Sequence, residues 1–332
     1  MDISYITIGI TVILALSFDF INGFHDTANA IATAVSTKAL TPREAIMIAA
    51  VMNFAGAVAF TGVAKTISKD IVNLEAINNG SLVIIVALLS AIIWNLITWY
   101  FGIPSSSSHA LIGSIAGAAI IAAGTAAINF TGFISIVEAL ILSPLIAFAT
   151  GYTMFTIFKY IFKSFNLSKT NRRFRRLQAL TAAIQSFAHG TNDAQKSMGI
   201  ITMALVSSNL CKPGSIPLWV QVCCATAMAM GTSIGGWRII KTVGTQIMKI
   251  KPVNGVAADL SSALIIFGAS KVGLPVSTTH VISSAIMGVG TSYRVKAVKW
   301  NTGKRMVITW FITLPISAML SSCIYLIINL FI

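Results

Sequence analysis

Two carboxylates stand at matched points of this chain, each inside a short run of residues able to hold an ion. The first run is Gly23-Phe-His-Asp-Thr-Ala-Asn29 and the second Gly190-Thr-Asn-Asp-Ala-Gln-Lys196. Asp26 and Asp193 lie in apolar surroundings, where an ionised carboxylate costs ~2.5–3.5 kcal/mol on the insertion scale and needs a partner. Each follows a glycine by three residues, which predicts a helix broken at the motif with freed backbone carbonyls. Carboxylate, the amides of Asn29 and Asn192, and freed carbonyl oxygens suit a hard monovalent cation, or a carboxylate that carries a proton. Thr27 adds a hydroxyl beside the first carboxylate and Gln195 a supporting amide beside the second. His25 precedes Asp26 where the second copy has Asn192, and a titratable ring replacing an amide beside a carboxylate is what proton coupling could use. Lys196 lies three residues from Asp193 on one helical face, so it either neutralises that carboxylate or contacts an anion.

A second pair of motifs has the complementary chemistry. Gly102-Ile-Pro-Ser-Ser-Ser-Ser-His109 is matched by Gly273-Leu-Pro-Val-Ser-Thr-Thr-His280. Pro104 and Pro275 stop or start a helix, and the hydroxyl residues after them are N-cap residues for the helix that follows. A helix start offers unpaired N–H groups and about half a positive charge, and the hydroxyls add donors. Ser106, Ser107 and Ser108 with Ser277, Thr278 and Thr279 are therefore read as a substrate site for one tetrahedral oxyanion, against the plainer reading of local capping. His109 and His280 are expected to cap this site or bond to neighbours. All four histidines (His25, His109, His189, His280) lie in or beside these motifs. No HxxxH spacing or cysteine partner accompanies them, so no metal site or cofactor is assigned. Ser108-His109 lacks the Gly-x-Ser-x-Gly elbow of a hydrolase; no catalytic residue is named and the chain is not read as an enzyme.

The elements that must position these groups come from a duplicated unit. Lys65-Thr66-Ile67 returns as Lys241-Thr242-Val243 and Pro144-Leu145 as Pro315-Ile316, at nearly the offset of the motifs. Apolar residues make up 56% of 332 and charged ones 10%, with a mean hydropathy of +0.84, a membrane composition with the bilayer as partner. The net charge of +14 would suggest nucleic acid in a soluble chain, but its placement excludes that reading here. Basic residues cluster at 159–176, 238–251 and 294–305, which the positive-inside rule makes cytoplasmic. Five passages follow forward from the first cluster (178–208, 217–238, 255–271, 276–292, 305–331) and five precede it (134–162, 105–124, 81–101, 43–67, 3–37). Both termini fall outside, and an odd number per half makes the repeats inverted. The chain is thus expected to be an all-α polytopic membrane protein with two inverted-topology repeats, 1–162 and 178–332, joined by a basic cytoplasmic linker, 163–177. The overlong 3–37 and 178–208 stretches are read as broken or re-entrant, giving about 10–12 segments. The absence of a basic region before the first apolar stretch argues against a cleaved signal. The four cysteines show no metal or disulfide spacing and are read as apolar filling.

The four motifs together resemble the inorganic phosphate transporter family, whose likeness runs from about residue 10 to 325. The resemblance implies an inverted-repeat fold in the cell (inner) membrane, with inorganic phosphate moved together with protons or sodium. By it, Asp26, Asn29, Asn192 and Asp193 carry over as cation and substrate residues, and Ser106 to Ser108 with Ser277 to Thr279 as the oxyanion clamp. The sodium-type signature commonly reads Gly-Ala-Asn-Asp in both repeats, whereas the first copy here is Gly-Phe-His-Asp. That form looks like the bacterial proton-coupled members, which move neutral metal–phosphate complexes, so protons are expected as the coupling ion ahead of sodium. A sulfate transporter on the same fold is the rival, and assembly as a homo-oligomer stays open.

Overall fold

Local signals set most helix ends. The computed structural model describes residues 3–73, 77, 79–163 and 167–331. The first half contains α1 (Ile3–His25), α2 (Thr27–Ser36), α3 (Pro42–Ala59), α4 (Gly62–Asp70), α5 (Gly80–Phe101), α6 (Ser107–Ala123) and α7 (Phe130–Ile161). The second contains α8 (Leu167–Ser207), α9 (Leu218–Ile234), α10 (Trp237–Lys241) with a π-helical continuation over Thr242–Gln246, α11 (Pro252–Lys271), α12 (Thr278–Tyr293) and α13 (Trp300–Asn329). A capping box between Thr41 and Glu44, with Pro42 at the first position, opens α3. Gly102 and Gly273, at φ 64° and 78°, turn the chain out of α5 and α11 in a conformation that side chains resist. Extended segments then carry it past Pro104 and Pro275 to the caps Ser106 and Ser277.

The same order of elements recurs in both halves and fits the inverted repeat. Short 3₁₀ turns at Thr125–Ala127 and Val295–Ala297 follow α6 and α12. Isolated bridges join Val72 to Ile128 and Met248 to Val298 at equivalent points. The α3–α4 pair is bent by 64° and the α9–α10 pair, with its continuation, by 66°, so the passages expected over 43–67 and 217–238 each contain a bend. Among the described residues five helices are long and apolar enough to cross a membrane, or seven if each bent pair is one span. With 17 and 16 residues, α6 and α12 reach only ~24–26 Å, short of the ~30 Å hydrocarbon core. Both begin inside the protein: Ser107 through Ala119 and Thr278 through Gly290 are buried without interruption.

One expectation is extended and one corrected. The linker is helical from Leu167 onward, so all its basic residues except Lys163 fall in the first turns of α8; residues 164–166 lie outside the described ones. The helix break expected at both aspartate motifs is seen only at the first, where Asp26 alone separates α1 from α2, and α8 runs unbroken through Gly190 and Asp193. The glycines serve close packing instead. A Cβ on Gly190 would lie 2.2 Å from the Asn53 carbonyl oxygen, and one on Gly23 2.3 Å from that of Met228. Thus α8 of the second half presses on α3 of the first, and α1 on α9, by the small-residue contacts through which membrane helices approach closely. The exchange continues further along: α7 packs on α12 and α13 on α6, with Gly288 against Phe148 and Gly117 against Ala318.

Gly190→Ala and Gly23→Ala should each lower stability by ~1–3 kcal/mol through overpacking. Gly9→Ala, which meets nothing within 4 Å, should be neutral. Thermal unfolding in detergent, followed by monodispersity, checks the contrast.

Candidate functional site

The interruption between α1 and α2, the middle of α8, and the starts of α6 and α12 meet in the protein interior. Asp26 and Asp193 are 1% and 0% exposed, and hydroxyls of the helix starts reach both. Ser107 Oγ donates to Asp26 Oδ2 at 2.6 Å and Thr278 Oγ1 donates to Asp193 Oδ2 at 3.0 Å, equivalent contacts in the two halves. Two further bonds cross between halves: Thr279 Oγ1 donates to Asp26 Oδ1 at 3.0 Å, and Asn22 Nδ2 to Asp193 Oδ2 at 3.4 Å. Asn29 Nδ2 donates to Thr279 Oγ1 at 2.8 Å. The first N–H groups of α6 and α12 have no partner inside their own helices, and they start beside these hydroxyls.

The two carboxylates are compensated differently. Lys196 Nζ lies 2.6 Å from Asp193 Oδ1 with 1% of its side chain exposed, and His189 Nε2 is 3.1 Å from Asp193 Oδ2. The sequence left Lys196 open between ion pair and anion contact, and the structure pairs it with Asp193. Among the described residues Asp26 has no lysine or arginine partner; its neighbour is His25, Nδ1 to Oδ1 at 2.7 Å. The far side of that ring meets Thr98 Oγ1 at 3.1 Å, which also accepts from Ser105 Oγ at 2.8 Å.

Not every sequence candidate joins this cluster. Thr27 faces the other way, with Thr232 at 3.1 Å and accepting from Asn53 at 2.9 Å, so its hydroxyl is spent on α3 and α9. Gln195 accepts from the backbone N–H of Ala64 at 3.1 Å and ties α8 to α4. Asn192 accepts from Val276 N–H at 3.1 Å and donates to Leu274 O at 3.2 Å, which fixes the loop entering α12. Ser106 and Ser277 accept from the N–H groups of His109 and His280 at 3.1 and 3.3 Å as helix caps. Ser108 donates to Val276 O at 2.9 Å. His109 and His280 lie ring to ring at 4.6 Å, and His280 stacks on Trp310 at 4.2 Å. Both line a cavity of about 730 Å³ between α7 and α13, next to Pro144 and Pro315.

Sequence reasoning missed Asn22, although Asn22 and His189 each stand four residues before an aspartate. Together with His25 and Asn192 they form an exchanged pair, histidine and asparagine trading places between repeats. The amide oxygens of Asn22 and Asn29 are buried with no donor. Two more buried carboxylates escaped notice, Asp19 and Asp259. Ser197 donates to Asp19 at 2.7 Å.

Over residues 22–321 the sequence matches the model of the phosphate transporter family, whose span takes in all four motifs. The chain belongs to that family. It is a multi-pass membrane transporter and not an enzyme. Among this family's members, it is 68% identical to a probable low-affinity inorganic phosphate transporter of Bacillus subtilis, over 99% of both chains. A protein of the same description from Mycobacterium leprae is 43% identical, over 99% of this chain and 80% of its own. A solved structure described as the sodium-dependent phosphate transporter superposes with a TM-score of 0.90 at 27% identity, covering 98% of this chain and 100% of the other.

Lys196→Met should destabilise the transporter by ~3–5 kcal/mol, because it strands Asp193 as an unpaired buried charge. Adding Asp193→Asn should recover most of that loss. Thermal melts of the two variants in detergent test the pairing, and equal melts would refute it.

Proposed function

We propose that this transporter imports inorganic phosphate across the plasma membrane by proton symport, with its two halves rocking about the shared interior site in alternating access. Both termini are placed outside and the basic start of α8 in the cytoplasm, a reading that the clustering of basic residues supports. The observation that carries the reading is that the hydroxyls best placed to hold an oxyanion are already donating to the motif carboxylates. Ser107 and Thr279 both donate to Asp26, and Thr278 donates to Asp193.

This sharing couples the two cargoes. A phosphate between the starts of α6 and α12 draws the hydroxyls and free N–H groups to its own oxygens. Asp26 then loses its two hydroxyl donors and takes up a cation or proton more readily. Conversely, a proton on Asp26 frees the hydroxyls for phosphate. Each partner thereby raises the affinity for the other by the same factor. His25, 2.7 Å from Asp26 and linked outward to Thr98 and Ser105, is the group through which a proton reaches the carboxylate. The donorless amide oxygens of Asn22 and Asn29 favour phosphate over sulfate, because a protonated phosphate can donate to them and sulfate cannot. A metal–phosphate complex is a further form of the same cargo.

Sodium coupling is the second reading, favoured by the same two amide oxygens, which are hard-cation ligands, and by the description of the structural relative.

In proteoliposomes, an inward proton gradient should drive accumulation of radiolabelled phosphate, a sodium gradient alone should not, and sulfate should not compete. His25→Asn should reduce proton-driven accumulation by about tenfold or more, the size of a typical coupling energy. Accumulation driven only by sodium would replace the proton assignment while keeping the substrate.

A further inference from the structure

Beyond the site, a second buried polar cluster runs toward the basic end of α8. Polar side chains recur along one face of that helix at Gln178, Thr181, Gln185 and His189, all buried, before the face reaches Asp193. On α2, Asn29, Thr33 and Thr37 continue from Asp26 at spacings of three and four, which puts them on one face as well. The third wall is α11, with Asn254, Asp259 and Ser262. Thr37 Oγ1 donates to Gln178 Oε1 at 2.6 Å and Ser262 Oγ to Gln185 Oε1 at 2.9 Å.

Asp259 is the exceptional member. It is 1% exposed, and its carboxylate accepts only from two hydroxyls, Thr33 Oγ1 at 2.6 Å and Thr181 Oγ1 at 2.9 Å. Among the described residues no lysine, arginine or histidine forms an ion pair with it. Of the ionisable groups on the helices packed against α11, His189, Asp193 and Lys196 are committed to the site and His280 to its ring stack. Arg176 on α8 and Lys159 on α7 are exposed. An asparagine could tie the three helices together without the cost of a buried charge, so the carboxylate calls for a functional reason. The surroundings serve both of its protonation states. Thr181 Oγ1 lies 3.3 Å from the Gln178 carbonyl oxygen as well, so it can turn its proton there and accept one from a protonated Asp259. The amide nitrogens of Gln178, Gln185 and Asn254 are buried without acceptors, and water between them would satisfy them.

We propose that Asp259 is a second protonation site, the station through which the coupling proton passes from Asp26 toward the face bearing the basic start of α8. The seven residues from Asp26 to Thr33 rise ~10 Å along the helix, a gap that Asn29 and intervening water bridge. The proton released at Asp26 is taken by the Asp259 carboxylate and passed on past Gln178 and Thr37, so charge is conserved at each transfer. This inference rests on the proton-coupling reading.

Two assays on the reconstituted transporter test it: phosphate accumulation under an inward proton gradient, and exchange of labelled for unlabelled phosphate at equal concentration and pH. Asp259→Asn should lose accumulation by about tenfold or more while exchange stays near the wild-type rate, and Asp259→Glu should restore accumulation. Asp259→Asn that still accumulates phosphate overturns the proposal. Loss of both activities, unrescued by Asp259→Glu, makes the carboxylate a structural tie and overturns it too. Sodium-driven accumulation by the wild type removes the coupling reading and this one with it, an outcome seen before any variant is made.

Discussion

A carboxylate inside a membrane must be given partners, and that requirement organises the centre of this protein. Asp26 and Asp193 are buried, so hydrogen-bond donors have to be delivered by the fold. The donors come from both halves: Ser107 and Thr279 to one carboxylate, Thr278 and Asn22 to the other. Everything else in the interior can be ordered by that need. Helices α6 and α12 start at depth because their first residues must reach the carboxylates. Gly102 and Gly273 bend the chain inward, and Asn192 fixes the second entry loop.

The two halves carry matching parts with different electrostatics. The backbone frame is close to symmetric, down to the paired 3₁₀ turns and bridges. The side chains are not. Position 196 holds a lysine where the first repeat has Asn29, and histidine and asparagine change places around the two aspartates. One carboxylate therefore carries a permanent counter-ion, whereas the other depends on hydroxyls and an imidazole.

Much of this was legible in the residues. Recurrence of the Asp and Ser/Thr motifs, the apolar spans and the clustered basic residues gave the all-helical membrane architecture, and hydroxyls after Pro104 and Pro275 marked the two deep helix starts. Glycine was misread where it has two uses: Gly190 looks like a helix breaker, but α8 is continuous there because the missing Cβ admits the Asn53 carbonyl. Thr27 was misplaced because neighbours on a helix point in different directions, and only tertiary packing shows that Thr27 turns toward Asn53. Asn22 had a signal in its spacing to Asp26, matched by His189 before Asp193. Asp19 and Asp259 were invisible to motif reading, because a lone polar residue in an apolar run does not tell which helices fold beside it.

The interlocking of the halves has a consequence for how the chain is made. Many of its helices pack most extensively across the repeat boundary, α7 on α12, α13 on α6, α3 on α8 and α1 on α9, while α5 and α11 pack mainly within their own halves. A ribosome delivers the whole first half before α8, α9 and α12 exist. Until then α3 and α7 present to lipid the faces that will later be buried, and Asp26 waits without the hydroxyl of Thr279. The interior contacts that join the two halves form only once the second half has been inserted. Chains arrested midway through synthesis would hold an exposed, under-partnered carboxylate in the bilayer, a defect that membrane quality control could detect.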